Sequence, residues 1–157
     1  MSNATISAVD PNPRKRERAA ALGADATIDA GTSDVAGQVR KALGGSADIV
    51  FDCVAIQSSI DQAIAIADKG GTVVVVGVPS QEVTVPLPIV QDHQVRIQGS
   101  ATYLPEDYRE SADLLRRGAV RTADFVTATR PLAQVAEAFE LASSGNHVKV
   151  LVTVGEQ

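Results

Sequence analysis

The segment that most constrains the fold is the run 72–77 (TVVVVG), which follows a pair of glycines. An unbroken apolar run of β-branched side chains is typical of a strand that helices cover on both faces. A second run of this kind, Ile49–Phe51, ends at Asp52. The stretch 35–43 (VAGQVRKAL) instead spaces its apolar residues by four, which predicts an amphipathic helix.

The rest of the chain continues this alternation of strands and helices. We expect further strands at 4–9, 26–28, 83–85, 95–97 and 148–154, and helices at 13–22, 33–43, 58–69, 106–117 and 132–143. Such alternation predicts an α/β fold, a doubly wound, Rossmann-like parallel sheet with right-handed crossovers, followed by C-terminal helices and a final strand. Ligands of such sheets bind beyond the carboxyl ends of the strands.

Charge and composition disfavour several classes of partner. The chain has 14 Lys and Arg against 19 Asp and Glu, a net charge of -5, which disfavours nucleic acid. We interpret the one basic run, Arg14–Arg18, as a solvated helix face. No run approaches the roughly 20 apolar residues of a membrane span. A single cysteine fits a reducing compartment, so the cytoplasm is the expected location, and residues 1–4 look like a cloning remnant.

Asp10 is the most informative polar residue. It ends the first predicted strand, where an acidic side chain can accept both hydroxyls of an adenosine ribose. Such a carboxylate repels a 2′-phosphate, which favours NAD over NADP. The alternative is that Asp10 only starts a turn with Pro11, and the sequence leaves both interpretations open.

A phosphate-binding glycine turn is missing from the sequence. No Gly-x-Gly-x-x-Gly joins a strand to a helix, whereas dinucleotide-binding folds carry this turn one strand-helix unit before the acidic strand. The sheet is therefore predicted to lack its first strand-helix unit. We expect an empty slot between the Asp10 strand and strand 72–77, and open edges there would favour pairing with another chain or a rearranged sheet.

Several segments match a known family in order and spacing. They are Ala8–Asp10, Leu22–Asp25, Ala47–Val54, Gly70–Gly77, Ile97–Ser100 and His147–Val152. Over residues 5–154 the chain resembles the C-terminal, NAD-binding half of medium-chain, zinc-type alcohol and polyol dehydrogenases. The segments 59–63, 83–87 and 148–149 are most similar to the butanediol, sorbitol and threonine dehydrogenase branch.

The resemblance implies an adenosine site built from four residues. Asp10 would bind the adenosine ribose, and Lys15 would lie beside it near the adenine. Val54 and Ala55 would line the adenosine side, although the family more often has glycine where Ala55 stands.

It also implies a nicotinamide site. Gly77 and Val78 would lie under the nicotinamide ribose and ring, and the backbones of Ser100 and Thr102 would hold the carboxamide. Lys149 would reach the pyrophosphate. Each of these residues also has a purely structural interpretation when taken alone.

The reaction implied for the full-length family is hydride transfer between a secondary alcohol and NAD, with zinc as a Lewis acid. The family's zinc ligands and proton relay belong to an N-terminal domain that no segment here matches. Residues 5–102 would be a truncated dinucleotide-binding domain, and residues 103–157 would return to the catalytic domain. We expect weak or no NAD binding, no activity alone, and a homodimer formed through open sheet edges or residues 83–97. The alternative is a non-catalytic nucleotide-binding or oligomerisation module.

The remaining candidates for chemistry are weak. Cys53 follows an apolar strand and is expected to be a buried, inert thiol. His93 and His147 have no Cys or His at ligand spacing and are not expected to bind metal. Acid-base chemistry could use Asp52, Asp48 or Glu106, but no two carboxylates share an evident pocket and no orienting His is near in the sequence.

Overall fold

A computed structural model describes residues 4–155 and divides the chain into two compact units, one ending at Ala101 and one starting at Thr102. Most of the predicted cloning remnant, residues 1–3, lies outside the described residues. Among the described helices, none combines the length and the apolar character needed to cross a membrane.

The first unit alternates strands and helices. Its strands are β1 (Ser7–Val9), β2 (Ala26–Ile28), β3 (Ala47–Asp52), β4 (Ala67–Val75) and β5 (Arg96–Gly99). Its helices are α1 (Pro13–Ala21), α2 (Val35–Leu43), α3 (Gln57–Ile66) and α4 (Leu87–Asp92). Every pair of neighbouring strands is parallel, with β1 beside β2 and the order β3-β4-β5 in a second sheet. The predicted α/β fold with parallel strands is confirmed.

The open edges differ from the expectation in one respect. Among residues 4–155, β1 pairs only with β2 and β3 pairs only with β4, so each keeps one unpaired edge. The expected placement of strand 72–77 beside the slot is wrong, because β4 lies between β3 and β5 and is paired on both sides. The two open edges that we compare with the predicted slot therefore belong to β1 and β3.

The glycine pair before strand 72–77 lies inside β4. It therefore does not follow directly on a helix, contrary to the prediction of a helix over 58–69. Helix α3 ends at Ile66, and the register of β3 against β4 shifts between Ala47 and Ile49. A Cβ on Gly71 would lie 2.9 Å from the Asp68 carbonyl oxygen and 3.1 Å from that of Asp48. Glycine at 71 therefore permits a close approach of backbones at an irregularity in the sheet.

The expected strand 83–85 is absent from the structure. Thr84 instead forms two hydrogen bonds with the side-chain amide of Gln57, which accepts from the Thr84 amide at 2.8 Å and donates to its carbonyl at 2.9 Å. The prolines that follow, Pro86 and Pro88, begin the short helix α4, where no helix was predicted.

Two apolar clusters hold the first unit together. One cluster joins α3 to the three-stranded sheet and contains Ile60, Ala63, Ile64, Ala67, Val73 and Val95. The other joins β2 and α2 to α3 and contains Ile28, Val35, Val39 and Ile66. Because Ala47 and Val50 of β3 also pack against the second cluster, it connects the elements of the two sheets.

The second unit contains α5 (Pro105–Arg116), β6 (Val126–Pro131), α6 (Val135–Ser143) and β7 (Lys149–Thr153). The strands β6 and β7 are parallel, as expected for two strands joined by a helix. Strand β6 lies between the predicted helices 106–117 and 132–143, where no strand was predicted. Short 3-10 helices precede β6 and α6, at Thr122–Asp124 and Leu132–Gln134.

Candidate functional site

The turn after β3 is organised by the buried carboxylate of Asp52, which is only 5% exposed. Its Oδ1 accepts hydrogen bonds from the backbone amides of Val54 at 2.9 Å and Ala55 at 3.0 Å. Its Oδ2 accepts from the hydroxyl of Ser59 at 2.9 Å. A buried carboxylate needs such donors, because burial without them would cost far more than a lost hydrogen bond.

Ser59 connects this turn to the first turn of α3. Its Oγ lies 3.0 Å from the amide of Ile56, whose N–H it accepts at the start of the helix. The predicted helix 58–69 starts at Ser58, but in the structure Ser58 lies inside α3 and is exposed. The serine that faces Asp52 is the one that meets the free amide at the helix start.

Gly77 packs directly against the same turn. A Cβ at position 77 would lie 2.6 Å from the carbonyl carbon of Val54 and 2.9 Å from the amide nitrogen of Ala55. The amides of Val76 and Gly77 both donate to the carbonyl oxygen of Asp52, at 2.8 and 2.9 Å. The structure therefore brings together three of the predicted residues, Val54, Ala55 and Gly77.

Ala55 itself has an unusual backbone conformation. Its φ is +57°, in the left-handed region that a side chain disfavours, and the residue is buried. This conformation explains on physical grounds why glycine would suit position 55. The two amide bonds to Asp52 hold Val54 and Ala55 in this turn.

Two more predicted residues follow neighbouring strand ends. Val78 comes just after the end of β4 and is 90% exposed, so it is available to a ligand. Ser100 follows β5, and its amide donates to the carbonyl of Val75 at 2.9 Å. Because β4 and β5 are parallel neighbours, Gly77, Val78 and Ser100 lie at the same carboxyl edge of the sheet.

Asp10 follows β1, and its carboxylate is half-buried. Oδ1 accepts the amide of Asn12 at 2.7 Å, so the turn of the structural interpretation is formed. No donor in the described part of the chain is bonded to Oδ2. One oxygen shapes the turn and the other remains able to accept a ligand hydroxyl, so both interpretations of Asp10 remain open.

The basic run beside Asp10 was predicted to be a solvated helix face, but it is only partly solvated. Lys15 is exposed, but Arg16 is half-buried, and its Nη1 donates to the carbonyl oxygen of Asp10 at 2.7 Å. Its Nη2 lies 3.1 Å from Oδ2 of Asp29, the residue that follows β2. Arg16 thus ties together the carboxyl ends of β1 and β2.

The remaining predicted residues, Thr102 and Lys149, belong to the second unit. Thr102 is exposed and has a φ of +60°. Lys149 is the first residue of β7 and is also exposed. Its carbonyl accepts a hydrogen bond from the hydroxyl of Thr127 at 3.3 Å. Their proposed contacts with a cofactor stay predictions.

Cys53 is exposed, and the expectation of a buried thiol is therefore wrong. The open edge of β3 leaves this end of the strand uncovered, which accounts for the difference. His93 lies 3.7 Å from the carboxylate of Asp92, and His147 lies 3.1 Å from the hydroxyl of Thr127. Within residues 4–155, no group of three His, Cys, Asp or Glu side chains is placed to hold a metal ion. The described residues therefore do not form a zinc site.

A pocket of about 260 Å³ lies at the opposite, amino end of the three-stranded sheet. It is lined by Asp48, Ile49, Asp68, Lys69, Gly70, Gly71, Thr72 and Arg96. The Arg96 side chain donates to the carbonyl of Gly70 at 2.8 Å. Part of its guanidinium is therefore already bonded to another residue of the pocket lining. None of the predicted cofactor residues lines this pocket.

Three residues of the carboxyl edge were not among the predicted site residues. Asp52 and Ser59 form the hydrogen-bonded support of the turn, and Arg16 holds the backbone of Asp10. The available signal for Asp52 was its position as a carboxylate directly at the end of an apolar strand. Nothing in the spacing identified Ser59 rather than Ser58.

Comparisons with known proteins identify the family of the chain. Residues 1–117 match a family model described as zinc-binding dehydrogenase. Sorbitol dehydrogenase of Mus musculus is 28% identical over 155 residues, 97% of this chain and 43% of the relative. The chain thus spans less than half the length of the curated relatives it matches.

Solved structures share the fold. A 2R,3R-butanediol dehydrogenase from Bacillus subtilis superposes with a TM-score of 0.86 at 23% identity, covering 96% of this chain and 44% of that one. A zinc-binding dehydrogenase from Sinorhizobium meliloti 1021, solved bound to NADP, gives a TM-score of 0.84 at 26% identity, covering 96% and 45%. The chain therefore belongs to the zinc-binding dehydrogenase family, and its span is that expected for the C-terminal half of an alcohol or polyol dehydrogenase.

Proposed function

We propose that this chain forms part of the NAD site of a zinc-type alcohol or polyol dehydrogenase. The observation that carries the proposal is the carboxyl edge of the parallel strands, where Asp10 keeps one oxygen without a donor from the described residues. An adenosine ribose offers two hydroxyl donors to such a carboxylate. Val54, Ala55, Gly77, Val78 and Ser100 follow the ends of β3, β4 and β5 and would line the rest of the site.

In this proposal the chain supplies cofactor binding only. NAD would accept a hydride from the alcohol carbon, and zinc in the parent enzyme would polarise the alcohol oxygen. The zinc ligands belong to the N-terminal domain of the family, and activity of this chain alone is not expected. Binding should be weak, because a site without the glycine turn loses backbone donors and a helix N-terminus for the pyrophosphate.

The preference for NAD over NADP also belongs to the proposal. The carboxylate of Asp10 would repel a 2′-phosphate, and the charge of Arg16 is paired with Asp29. The NADP found in the Sinorhizobium structure shows that one structural relative takes the phosphorylated cofactor. A direct comparison of NADH with NADPH therefore bears on this chain's own preference.

The test is a fluorescence titration with NADH. We expect saturable binding that Asp10→Ala weakens at least about tenfold, since each hydrogen bond to a charged group contributes about 1.5–3 kcal/mol. The control is Asp68→Ala, which removes an exposed carboxylate at the amino end of the sheet and should leave binding unchanged. If wild-type protein shows no saturable binding, the proposed function is wrong.

The open edges support a second proposal, a homodimer. Ile49 and Phe51 lie on the same face of β3 and are 56% and 66% exposed, in a strand with one unpaired edge. Exposed apolar side chains and a free strand edge favour association with another chain. The segment 83–97 is the other candidate interface, and it exposes Leu87 and Ile89. This surface also suits the non-catalytic oligomerisation module that is our second candidate function.

Light scattering on a sizing column tests the dimer. We expect a particle of twice the 16.3 kDa chain mass, and Phe51→Lys should shift it to a monomer if β3 forms the contact. Leu87→Lys should do so instead if residues 83–97 form it. A stable, monodisperse wild-type monomer would contradict both interfaces.

The expected location of the protein is the cytoplasm, where the single cysteine would stay reduced. The boundary proposed between a dinucleotide-binding domain, 5–102, and a returning segment, 103–157, follows from the resemblance to the family.

A further inference from the structure

The carboxylate of Asp52 uses both oxygens inside the protein. Oδ1 accepts the amides of Val54 and Ala55, and Oδ2 accepts the hydroxyl of Ser59. With 5% of the residue exposed, this carboxylate faces protein donors and not solvent. It therefore has no free oxygen with which to bind a ligand or to move a proton in the way a catalytic acid or base does.

The backbone of Asp52 adds a second set of contacts. Its carbonyl oxygen accepts the amides of Val76 and Gly77 at the end of β4. One residue thus connects the turn after β3, the first turn of α3 and the end of β4. Two of these three elements, the turn and the end of β4, carry residues of the proposed cofactor site.

The turn also needs external support. Ala55 has a φ of +57°, a conformation that alanine rarely adopts unless its surroundings impose it. Its amide is bonded to Asp52, and the Val54-Ala55 backbone lies against Gly77 with no room for a Cβ there. The carboxylate and the glycine together fix the position of this backbone.

We propose that Asp52 is a positioning residue for dinucleotide binding, and that it acts through Val54 and Ala55 with Ser59 as its link to α3. The inference rests on the proposed function, since these two residues line a cofactor site only if the chain binds a dinucleotide. The acceptor oxygens of Asp52, rather than its charge, hold the turn. An amide side chain of the same shape should therefore replace it.

The experiment compares four single variants with wild type, using two readouts. The first readout is the dissociation constant for NADH, and the second is hydrogen exchange of the Val54 and Ala55 amides measured by NMR without ligand. Asp52→Asn keeps an acceptor for both amides, and its NH₂ can donate to the Ser59 oxygen. We expect its affinity and exchange to stay within about threefold of wild type.

Asp52→Leu keeps the branched arrangement of four side-chain heavy atoms but removes both side-chain acceptors. We expect at least about tenfold weaker NADH binding and at least about tenfold faster exchange of the two amides, because they lose their hydrogen-bond partner. Exchange at Val73, in the core of β4, reports whether the unit as a whole is still folded.

Ser59→Ala provides a milder variant in case Asp52→Leu fails to fold. It removes the hydroxyl that joins Asp52 to α3, and we expect about threefold to tenfold weaker NADH binding with unchanged exchange at Val73. Its matched control is Ser58→Ala, an exposed serine of the same helix turn, which should leave both readouts at wild-type values.

Four results would contradict the inference or part of it, and they are distinguishable. If wild type binds NADH and a folded Asp52→Leu protein binds it equally well with unchanged exchange at Val54 and Ala55, Asp52 does not position the turn, although the proposed function stands. If Ser59→Ala binds NADH as wild type does, Ser59 is not the link to α3. If wild type does not bind NADH, the proposed function fails and the inference fails with it. An Asp52→Asn protein as impaired as Asp52→Leu would contradict the claim that acceptor oxygens matter rather than charge.

Discussion

Gly77→Ala is expected to lower the free energy of unfolding by about 3 kcal/mol, near the upper end of the cost of overpacking a tight site. The added Cβ would lie 2.6 Å from the carbonyl carbon of Val54 and 2.8 Å from its amide nitrogen. Both contacts are with backbone, which cannot turn away as a flexible side chain can. The turn after β3 or the end of β4 must therefore shift.

The measurement is urea unfolding followed by circular dichroism, with Gly45→Ala as the matched control. A Cβ at Gly45 meets nothing within 4 Å, so this variant should be no less stable than wild type. A Gly77→Ala protein with wild-type stability would show that the carboxyl edge is looser than the structure indicates. In a folded Gly77→Ala protein, NADH binding should also weaken, since the turn carries Val54 and Ala55.

Ile64→Ala is expected to lower the free energy of unfolding by about 3–4 kcal/mol, because it leaves a cavity between α3 and the three-stranded sheet. Ile64 is 2% exposed and belongs to the cluster that includes Val73 and Val95. The lost stability has two parts: the transfer free energy of the methyl and methylene groups that are no longer buried on folding, and the cost of the cavity that they leave. This cluster packs α3, the helix that supports the proposed site, against the three-stranded sheet.

The same urea unfolding experiment applies, with Ile6→Ala as the control. Ile6 is 54% exposed, and its truncation should cost less than about 1 kcal/mol. Equal effects of the two truncations would mean that the cluster around α3 does not dominate the stability of the first unit. A change in the denaturant dependence of Ile64→Ala would indicate that part of the unit had already unfolded.

Local sequence signals predicted the first helix well. The predicted helix 13–22 follows Asn12, a residue type that caps helices, and the structure shows the Asn12 side chain accepting the amide of Arg14 at 2.9 Å with Pro13 in the first turn. These signals act over a few residues and need no tertiary contact. The fold class was accessible for a similar reason, since strand-like and helix-like periods alternate along the chain.

Predictions that depend on distant partners were less successful. Strand β6 has the sequence Val126–Pro131, with threonines and an arginine among its apolar residues, and it is defined by pairing with β7. Residues 83–85 have strand-like composition, but their partner is the side chain of Gln57. Neither outcome can be read from a local pattern, because β-structure requires a neighbour.

The candidate site shows the same division. Asp10 was identified from its position at a strand end, and the structure places it there beside a parallel strand. The role of Asp52 depended on three donors that fold back onto one carboxylate, and a sequence of apolar residues ending in Asp-Cys does not reveal them. Cys53 was misjudged because the exposure of β3 depends on which strands are beside it.

The paired bonds between Gln57 and Thr84 have a mechanical consequence. Gln57 begins α3, next to the turn that would hold the cofactor, while Thr84 lies in the segment proposed as a dimer contact. Two hydrogen bonds of 2.8 and 2.9 Å make this one side chain a direct link between the two regions. Any displacement of the helix start relative to residues 83–85 must stretch or break these bonds. Ligand binding and subunit contact would therefore both act on Gln57.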